Sequence, residues 1–376
     1  MTGSSARPSV AVNMLWCLPG AVGGSEQYLV RQLAGAFDVD PQLELSICST
    51  AGFRDVHGSR LSPADFRISS ADAHRRWRRV LTENTWLFGA TSDVDLVHHG
   101  GGTAPRRARR PYLLTIHDLQ YRTFPHYFSR VKRSYLDAVV PGSARRAARV
   151  AVPTEYVRDS VVRELGVPAE RVGVVPHGYE PELLEQRSDA QELRSRLGLG
   201  DGPILVYPAM TAPHKNHRFL VEMMRTRWDD PDLRLVLIGG HGLASDDVAA
   251  RIAEAERERP GRIIHAGRVG EADKNGLIAL AAALVFPSLY EGFGAPLIEA
   301  MALGTPVLCS DSTCLPQVAG DAAVVAPLDP TSWAEGLDTV LARRERLTEL
   351  GRERVSHFTA RRSGEALVAM YAEAAA

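Results

Sequence analysis

The chain is poor in the features that most quickly assign a protein to a class. Its 376 residues include four cysteines, Cys17, Cys48, Cys309 and Cys314, and none forms a C-x-x-C pair. All four lie in or beside apolar runs. Small core residues in a reducing compartment are therefore expected, ahead of metal or redox roles. No run of eighteen apolar residues occurs, which excludes a membrane-spanning helix. The opening stretch "MTGSSARPS" lacks the apolar core of a signal peptide and reads as a disordered leader. No G-x-G-x-x-G follows the first strand-like run, which disfavours a dehydrogenase.

What is present is an ordinary apolar share and a net charge of −1, in a length that suits two domains. The near-neutrality hides an asymmetry. Residues 1–180 carry 23 Lys and Arg against 17 Asp and Glu, and the remainder 21 against 28. The basic residues cluster as "HRRWRR" (74–79), "RRARR" (106–110), "RVKR" (130–133) and "RRAAR" (145–149). Solvated helix faces explain such clusters as well as an anionic or membrane-associated partner does. Nucleic acid is not expected, because no recognisable binding module accompanies the charge.

Short apolar runs alternate with helical stretches. In the first half they are "SVAVNML" (9–15), "LELSICS" (43–49), "VDLVHH" (94–99), "YLLTIHD" (112–118), "RVAVP" (149–153) and "RVGVVPHG" (171–178). After a polar connection around 180–200 the alternation restarts with "PILVYPA" (203–209), "LRLVLIGG" (233–240), "RIIHAG" (262–267), "AALVFPS" (282–288) and "TPVLCS" (305–310). The pattern predicts an α/β protein of two doubly wound parallel sheets, with ligands taken at the carboxyl ends of the strands in a cleft between them. The expected division is 1–180, 181–358 with its linker, and a final helix over 359–376 that packs on one of the units.

One stretch concentrates the chemistry. In "YEGFGAPLIEAMALG" (290–304) two glutamates lie eight residues apart around a Gly-x-Gly and a proline. Pro296 suits the start of a helix, Leu297, Ile298 and Met301 face the core, and Gly304 ends it. Gly292 and Gly294 let the backbone approach a ligand, and free N–H groups at a helix start attract an anion. Glu299, expected in the first turn, has a plainer explanation in the helix dipole, and Glu291 in an ordinary solvated turn. A carboxylate also accepts two neighbouring hydroxyls well. Amides for a diphosphate and carboxylates for sugar diols would together describe a nucleotide sugar.

Here the sequence resembles the family 4 glycosyltransferases, retaining enzymes of the two-domain GT-B fold, whose E-x7-E pair matches Glu291 and Glu299. The resemblance covers nearly the whole chain through "GGSEQYLVRQLA", "TIHDL", "RVGVVPHG" and "PHKNH", and is closest to the mannosyltransferase-like branch. It implies that Glu299 binds the donor ribose, and that Glu291 contacts the donor sugar beside the backbone of Gly292, Phe293 and Gly294. Lys215 would neutralise the diphosphate, and Gly23 and Gly24 would approach it. His117 would stand near the reacting sugar, with Asp118 orienting its loop. His98 and His99 either line the acceptor side or pack in the core. Many relatives carry an arginine where this chain has Ala209 or Met210. Thr211, nearby amides or Arg268 are the candidate substitutes, with Val269 matching a base-binding strand end.

The implied activity is hexosyl transfer from a nucleotide-diphosphate sugar, GDP-mannose first, to a hydroxyl acceptor in polysaccharide, glycolipid or metabolite glycosylation. No cofactor and no metal are expected. The acceptor is anionic or lipid-linked, or else a small metabolite. The expected place is the cytoplasm, with peripheral contact to an anionic membrane. A non-catalytic nucleotide-sugar sensor or partner subunit and a nucleotide-sugar epimerase are the alternatives.

Overall fold

A computed structural model describes residues 7–20, 23–70, 75–181 and 185–376. Residues 1–6 of the expected leader, His74 of the first arginine cluster, and residues 182–184 of the connection lie outside the described residues. The chain forms two compact units, Met1–Gly178 with Phe358–Ala376, and Tyr179–His357.

In the first unit the described strands are β1 (Val10–Asn13), β2 (Leu45–Thr50), β3 (Asp65–Ser69), β4 (Leu96–His99), β5 (Tyr112–Thr115), β6 (Arg149–Val152) and β7 (Val172–Val174). They pair in parallel in the order β3-β2-β1-β4-β5-β6-β7. In the second unit β8 (Ile204–Pro208), β9 (Arg234–Ile238), β10 (Ile263–Gly267), β11 (Ala283–Phe286), β12 (Val307–Ser310) and β13 (Ala323–Ala326) pair in parallel as β10-β9-β8-β11-β12-β13. Every residue of β1, β4, β5, β11 and β12 is buried. Helices cover both faces of such a sheet, so its central strands read as continuous apolar runs rather than as an alternation. The two doubly wound units of the GT-B fold are those expected.

Two strands are additions to the sequence reading, and both are sheet edges. β3 carries Asp65 and Arg67, and three of the four residues of β13 are only partly buried. An edge strand has one open side and tolerates polar residues, so β3 lacks the apolar signature of its neighbours, while β13 is a short Ala-Val-Val-Ala run only partly covered.

The final helix, Ala360–Ala375, lies against the helix Gly24–Val39 of the first unit. The crossing is close because both helices present glycine. A Cβ built on Gly364 would fall 2.1 Å from the carbonyl carbon of Gly35, and one on Gly35 would fall 2.0 Å from the Ala360 oxygen. The Ser363 hydroxyl donates to the Pro176 carbonyl at 2.6 Å, and Tyr371 Oη lies 2.9 Å from His98 Nδ1. Gly364→Ala is expected to destabilise the protein by roughly 2–3 kcal/mol, because the added methyl meets backbone that cannot swing aside. Gly52→Ala, in a helix where an added Cβ meets nothing within 4 Å, should be neutral or slightly stabilising. Urea midpoints of the two variants test the contrast.

Candidate active site

The strand order reverses between β8 and β11, so the loops leaving these neighbouring strands diverge and open a crevice at their carboxyl ends. Lys215 comes from the loop after β8, and Glu291 from the loop after β11. Lys215 closes the turn Pro213–Lys215, and Asn216, at φ 55°, turns the chain into the helix His217–Thr226. The two loops are stitched together. The Leu289 N–H donates to the His214 carbonyl at 2.8 Å, and the Asn216 amide to the Pro287 carbonyl at 3.3 Å. Tyr207 Oη, in β8, donates to the Lys215 carbonyl at 2.7 Å. The result is a direct ion pair, with Lys215 Nζ 2.6 Å from Glu291 Oε1 and both side chains more than four-fifths buried.

The backbone of Glu291 is clamped from the loop after β12. Its N–H donates to Thr313 Oγ1 at 3.1 Å, and its carbonyl accepts from Cys314 Sγ at 3.3 Å. Thr313 adopts φ 54°, a conformation that costs a β-branched residue roughly 1–3 kcal/mol. Gly294, at φ 88°, precedes the helix Ala295–Ala302, and a Cβ there would meet Leu315 Cδ2 at 2.7 Å. Phe293 is buried, and Gly292 lies half-exposed beside Glu291.

Glu299 does not sit in the first turn as expected. It is the fifth residue of the helix, one residue further in than a start at Pro296 gives, where the dipole gives a carboxylate less support. Its partner is instead Lys274, from the helix Glu271–Leu280, with Nζ 3.2 Å from Glu299 Oε2 and 2.8 Å from Glu271 Oε2. Burial pulls the Lys274 ammonium down, but the Glu299 and Glu271 carboxylates outweigh it and hold the group above its ordinary range. Lys274 was not singled out in the sequence. It lies in an ordinary amphipathic helix, and only the fold brings it to Glu299.

The Thr211 hydroxyl is fully buried, within 3.1 Å of the Gly240 carbonyl and 2.8 Å of Ser245 Oγ. It holds the loop after β9 against the loop after β8. Ala209 and Met210 carry no charge, and Met210 is half exposed. Arg268 is exposed after β10, and its guanidinium would lie 3.5 Å from a Cβ built on Gly240. The missing side chain at Gly240 thus lets a cation rest beside the Ala209–Met210 loop. Val269, next in the chain, is half-buried.

In the first unit, Gly23 (φ 74°) precedes the helix Gly24–Val39, and an added Cβ on Gly23 or Gly24 meets nothing within 4 Å. The loop ahead of them is anchored from within. The Gly20 N–H donates to Glu26 Oε2 at 2.9 Å, and Glu26 Oε1 lies 2.7 Å from His57 Nε2 in a fully enclosed pair. Neither Glu26 nor His57 was picked out from the sequence, although Glu26 stands in the quoted "GGSEQYL". His117 Nε2 donates to the Gly100 carbonyl at 2.8 Å, and its ring packs against Tyr28 and Trp16. Asp118 Oδ1 accepts from the Gln120 N–H at 2.9 Å and so caps the following turn. His98 is core: its two ring nitrogens are 2.7 Å from Thr115 Oγ1 and 2.9 Å from Tyr371 Oη, which leaves no ring nitrogen for a ligand. His99 Nδ1 lies 3.3 Å from Asn13 Nδ2 and lines a small cavity of about 20 Å³ with Glu83.

Comparison with known proteins agrees with this geometry. Residues 189–354 match the family described as Glycosyl transferases group 1, and residues 27–183 match Glycosyltransferase Family 4. The chain is 32% identical over 323 residues to O-antigen chain mannosyltransferase B of Escherichia coli, covering 81% of this chain and 82% of that protein. It is 26% identical over 329 residues to O-antigen chain mannosyltransferase RfbU of Salmonella typhimurium, covering 84% and 87%. Among solved structures, Anabaena HepE in complex with UDP-glucose superposes with a TM-score of 0.75 at 16% identity, covering 96% of this chain and 98% of that one. That likeness concerns the fold alone.

The histidines around both crevices generate a pH dependence. Burial, helped by the Lys215 charge, lowers His214 to about 4. Burial likewise lowers His217 to about 4, against its bond to Ala209, and lowers His98 and His99 to about 3. The unfolded chain takes up protons near pH 6.5 that these folded sites refuse. Each site therefore withdraws up to about 1.4 kcal/mol of stability per pH unit as pH falls from about 6.5 toward its folded value. Glu83, raised by burial, opposes this as a single group. The apparent melting temperature is expected to be flat near neutrality and to fall steadily below about pH 6. In His217→Gln, whose amide can still donate to Ala209, the fall should be shallower.

Proposed function

The chain belongs to the family 4 glycosyltransferases and is a hexosyltransferase, and from that premise we propose that it moves mannose from GDP-mannose to a hydroxyl acceptor with retention of configuration. The observation that carries the reading is the Lys215–Glu291 ion pair in the crevice between β8 and β11, with Glu299 eight residues on. Without donor, the ammonium is neutralised by Glu291. A diphosphate arriving in the crevice competes for that cation and frees a Glu291 oxygen for the sugar hydroxyls. Glu299 Oε1 and Oε2 suit the ribose diol, with Lys274 holding the carboxylate in place. Arg268, resting over Gly240, is the second cation in place of the arginine that Ala209 and Met210 do not supply.

The bond from the sugar C1 to the phosphate oxygen breaks while the acceptor oxygen joins C1 on the same face. The acceptor proton passes to the leaving phosphate oxygen. The protein's part is to orient and to meet the charge growing on the diphosphate, which Lys215 does without a metal. Mannose is favoured by the names of the two O-antigen relatives, and the same names favour a polysaccharide or lipid-linked acceptor. The basic first unit suits an anionic acceptor and peripheral work on the cytoplasmic face of a membrane. No described helix is long and apolar enough to cross one.

A thermal-shift panel of GDP, UDP, dTDP and ADP tests the donor. The matching nucleotide at about a hundred times its Kd should add about 2.7 kcal/mol of stability, and Glu299→Ala should abolish that gain. Stabilisation by none of the four would overturn the donor reading. Lys215→Ala should lower turnover at least ~100-fold, the scale for removing one charge stabiliser from a transition state. Arg268→Ala should weaken nucleotide binding about tenfold, the loss of one charge-assisted contact. Transfer that survives EDTA is expected, and its loss on chelation, with rescue by a divalent ion, would overturn the metal-free assignment.

A further inference from the structure

The helix Arg76–Asn84 and the short helix Trp86–Ala90 that follows it have two faces of different character. Inward, Glu83 and Leu87 are buried. Asn13, the last residue of β1, donates from its side-chain amide to Glu83 Oε1 and to His99 Nδ1, each at 3.3 Å, and His99 is the last residue of β4. The inner face is thereby fixed to the carboxyl ends of two adjacent strands at the point where the order of the first sheet reverses. That is the edge at which a doubly wound sheet takes its ligand.

Outward, Trp77 is 61% exposed, Leu81 56% and Phe88 41%, three of the eight large apolar side chains most exposed among the described residues. Trp77, Leu81 and exposed Asn84 recur at i, i+4 and i+7, a stripe along the first helix, and Phe88 stands on the second, beyond the break at Thr85. Cations surround the stripe. The Arg78 guanidinium lies over the Trp77 ring at 5.3 Å, and that of Arg109 over the Phe88 ring at 5.7 Å, which joins the loop 106–110 to the same surface. Arg75, Arg106 and Arg107 are exposed as well. The only acidic residue of 75–90 is the buried Glu83, and 104–110 contains none. A solvated helix face would alternate charges and would not expose tryptophan, leucine and phenylalanine within twelve residues. An aromatic and aliphatic stripe rimmed by arginines, with no exposed acid in either segment, is instead the composition of a helix that lies in the boundary of an anionic bilayer.

We propose that the outer face of residues 75–90, with the loop 106–110, docks the protein on an anionic lipid membrane and brings the carboxyl ends of β1 and β4 to the lipid surface. The inference names the surface behind the membrane contact proposed above. It rests on that reading only for the identity of what is glycosylated there. Trp77, Leu81 and Phe88 enter the headgroup and acyl boundary, while Arg75, Arg78, Arg106, Arg107 and Arg109 meet lipid phosphates. A lipid-linked acceptor held in that boundary then has only a short path to the ligand-binding edge of the first sheet.

The experiment is co-flotation of the full-length protein with vesicles of phosphatidylcholine alone, and of phosphatidylcholine mixed with phosphatidylglycerol, at low and high salt. The protein should float with the anionic vesicles, less at high salt, and hardly with the neutral ones. Trp77→Ala with Leu81→Ala should lower partitioning about tenfold or more, from lost apolar burial. Arg78→Glu should lower it by more than the roughly fivefold expected for losing one surface cation. The control Leu341→Ala, an exposed apolar change in the second unit, should float like wild type. Wild-type protein that stays unbound at low salt overturns the proposal, as does a Trp77, Leu81 double variant that floats undiminished. A wild-type dimer that the double variant converts to monomer, with flotation unchanged, assigns the stripe to a second copy and overturns it too. The nucleotide thermal shift, which reports on the second unit, is run on the same samples. Flotation without nucleotide binding would sink the donor reading and leave the docking surface standing, and the converse would do the opposite.

Discussion

A lysine and a glutamate 2.6 Å apart, drawn from loops 76 residues apart in the chain, are possible here because two parallel strands become neighbours only where a winding reverses. Elsewhere in the second sheet each strand is followed by a crossover that returns over the same face, and successive loops overlie one another. Between β8 and β11 the crossovers leave to opposite sides, which opens a crevice at the ends of these two strands. Whatever the loops carry there points into open space or at one another. In this structure Lys215 and Glu291 point at one another. Under the function proposed above, a diphosphate and a sugar would each claim one member of the pair.

Holding that pair requires rigidity one layer behind it, and the backbone supplies it at some cost. Thr313 accepts a left-handed conformation unusual for a β-branched residue so that its hydroxyl can take the Glu291 N–H, while Cys314 takes the Glu291 carbonyl. On the lysine side, Tyr207 fixes the Lys215 carbonyl and reaches Ser288 at 3.2 Å, and Ser310 bonds the Ser288 carbonyl at 2.6 Å. Four strand ends or the loops beyond them, from β8, β9, β11 and β12, are thus tied by side chains rather than by sheet hydrogen bonds. Strain of this kind persists only where neighbours over-determine it, which is why it collects around a site.

Much of this was legible in the residues, for reasons that also explain what was not. Buried parallel strands carry continuous apolar runs, so eleven of the thirteen described strands could be marked, and the two left out are edges, one polar and one a short, partly buried Ala-Val-Val-Ala run. The glutamate pair around Gly-x-Gly was legible because glycine, proline and carboxylate each have a narrow reason to be there. Glu299 was placed one residue too early in its helix, since a sequence shows a proline but not that Gly294 leaves the helix free to start a residue sooner at Ala295. Lys274, Thr313 and the enclosed Glu26–His57 pair were invisible for a different reason. Each takes its role from a partner 22 to 31 residues away, and no local pattern announces such a partner. His98 was left open between acceptor side and core because a histidine at a strand's carboxyl end looks the same whether it faces a ligand or, as here, a tyrosine from the last helix.

The two units share a winding, but they handle charge differently at the point where the winding reverses. In the second unit the crevice holds ionised groups, two lysines paired with glutamates. In the first, the equivalent ends of β1 and β4 carry Asn13 and His99, a neutral amide and a histidine kept neutral by burial. The charge of the first unit lies instead on its outer arginines. A donor bears its charge in the diphosphate, close to the bond that breaks, so a unit that binds it must present cations inside the crevice. A hydroxyl acceptor brings no charge at the reacting atom, and a cation beside that hydroxyl would only weaken it as a nucleophile. Any charge it does carry, on a lipid phosphate for example, lies away from the reacting end. Under the function proposed above, strand ends without paired cations and an arginine-rich exterior would suit such a molecule.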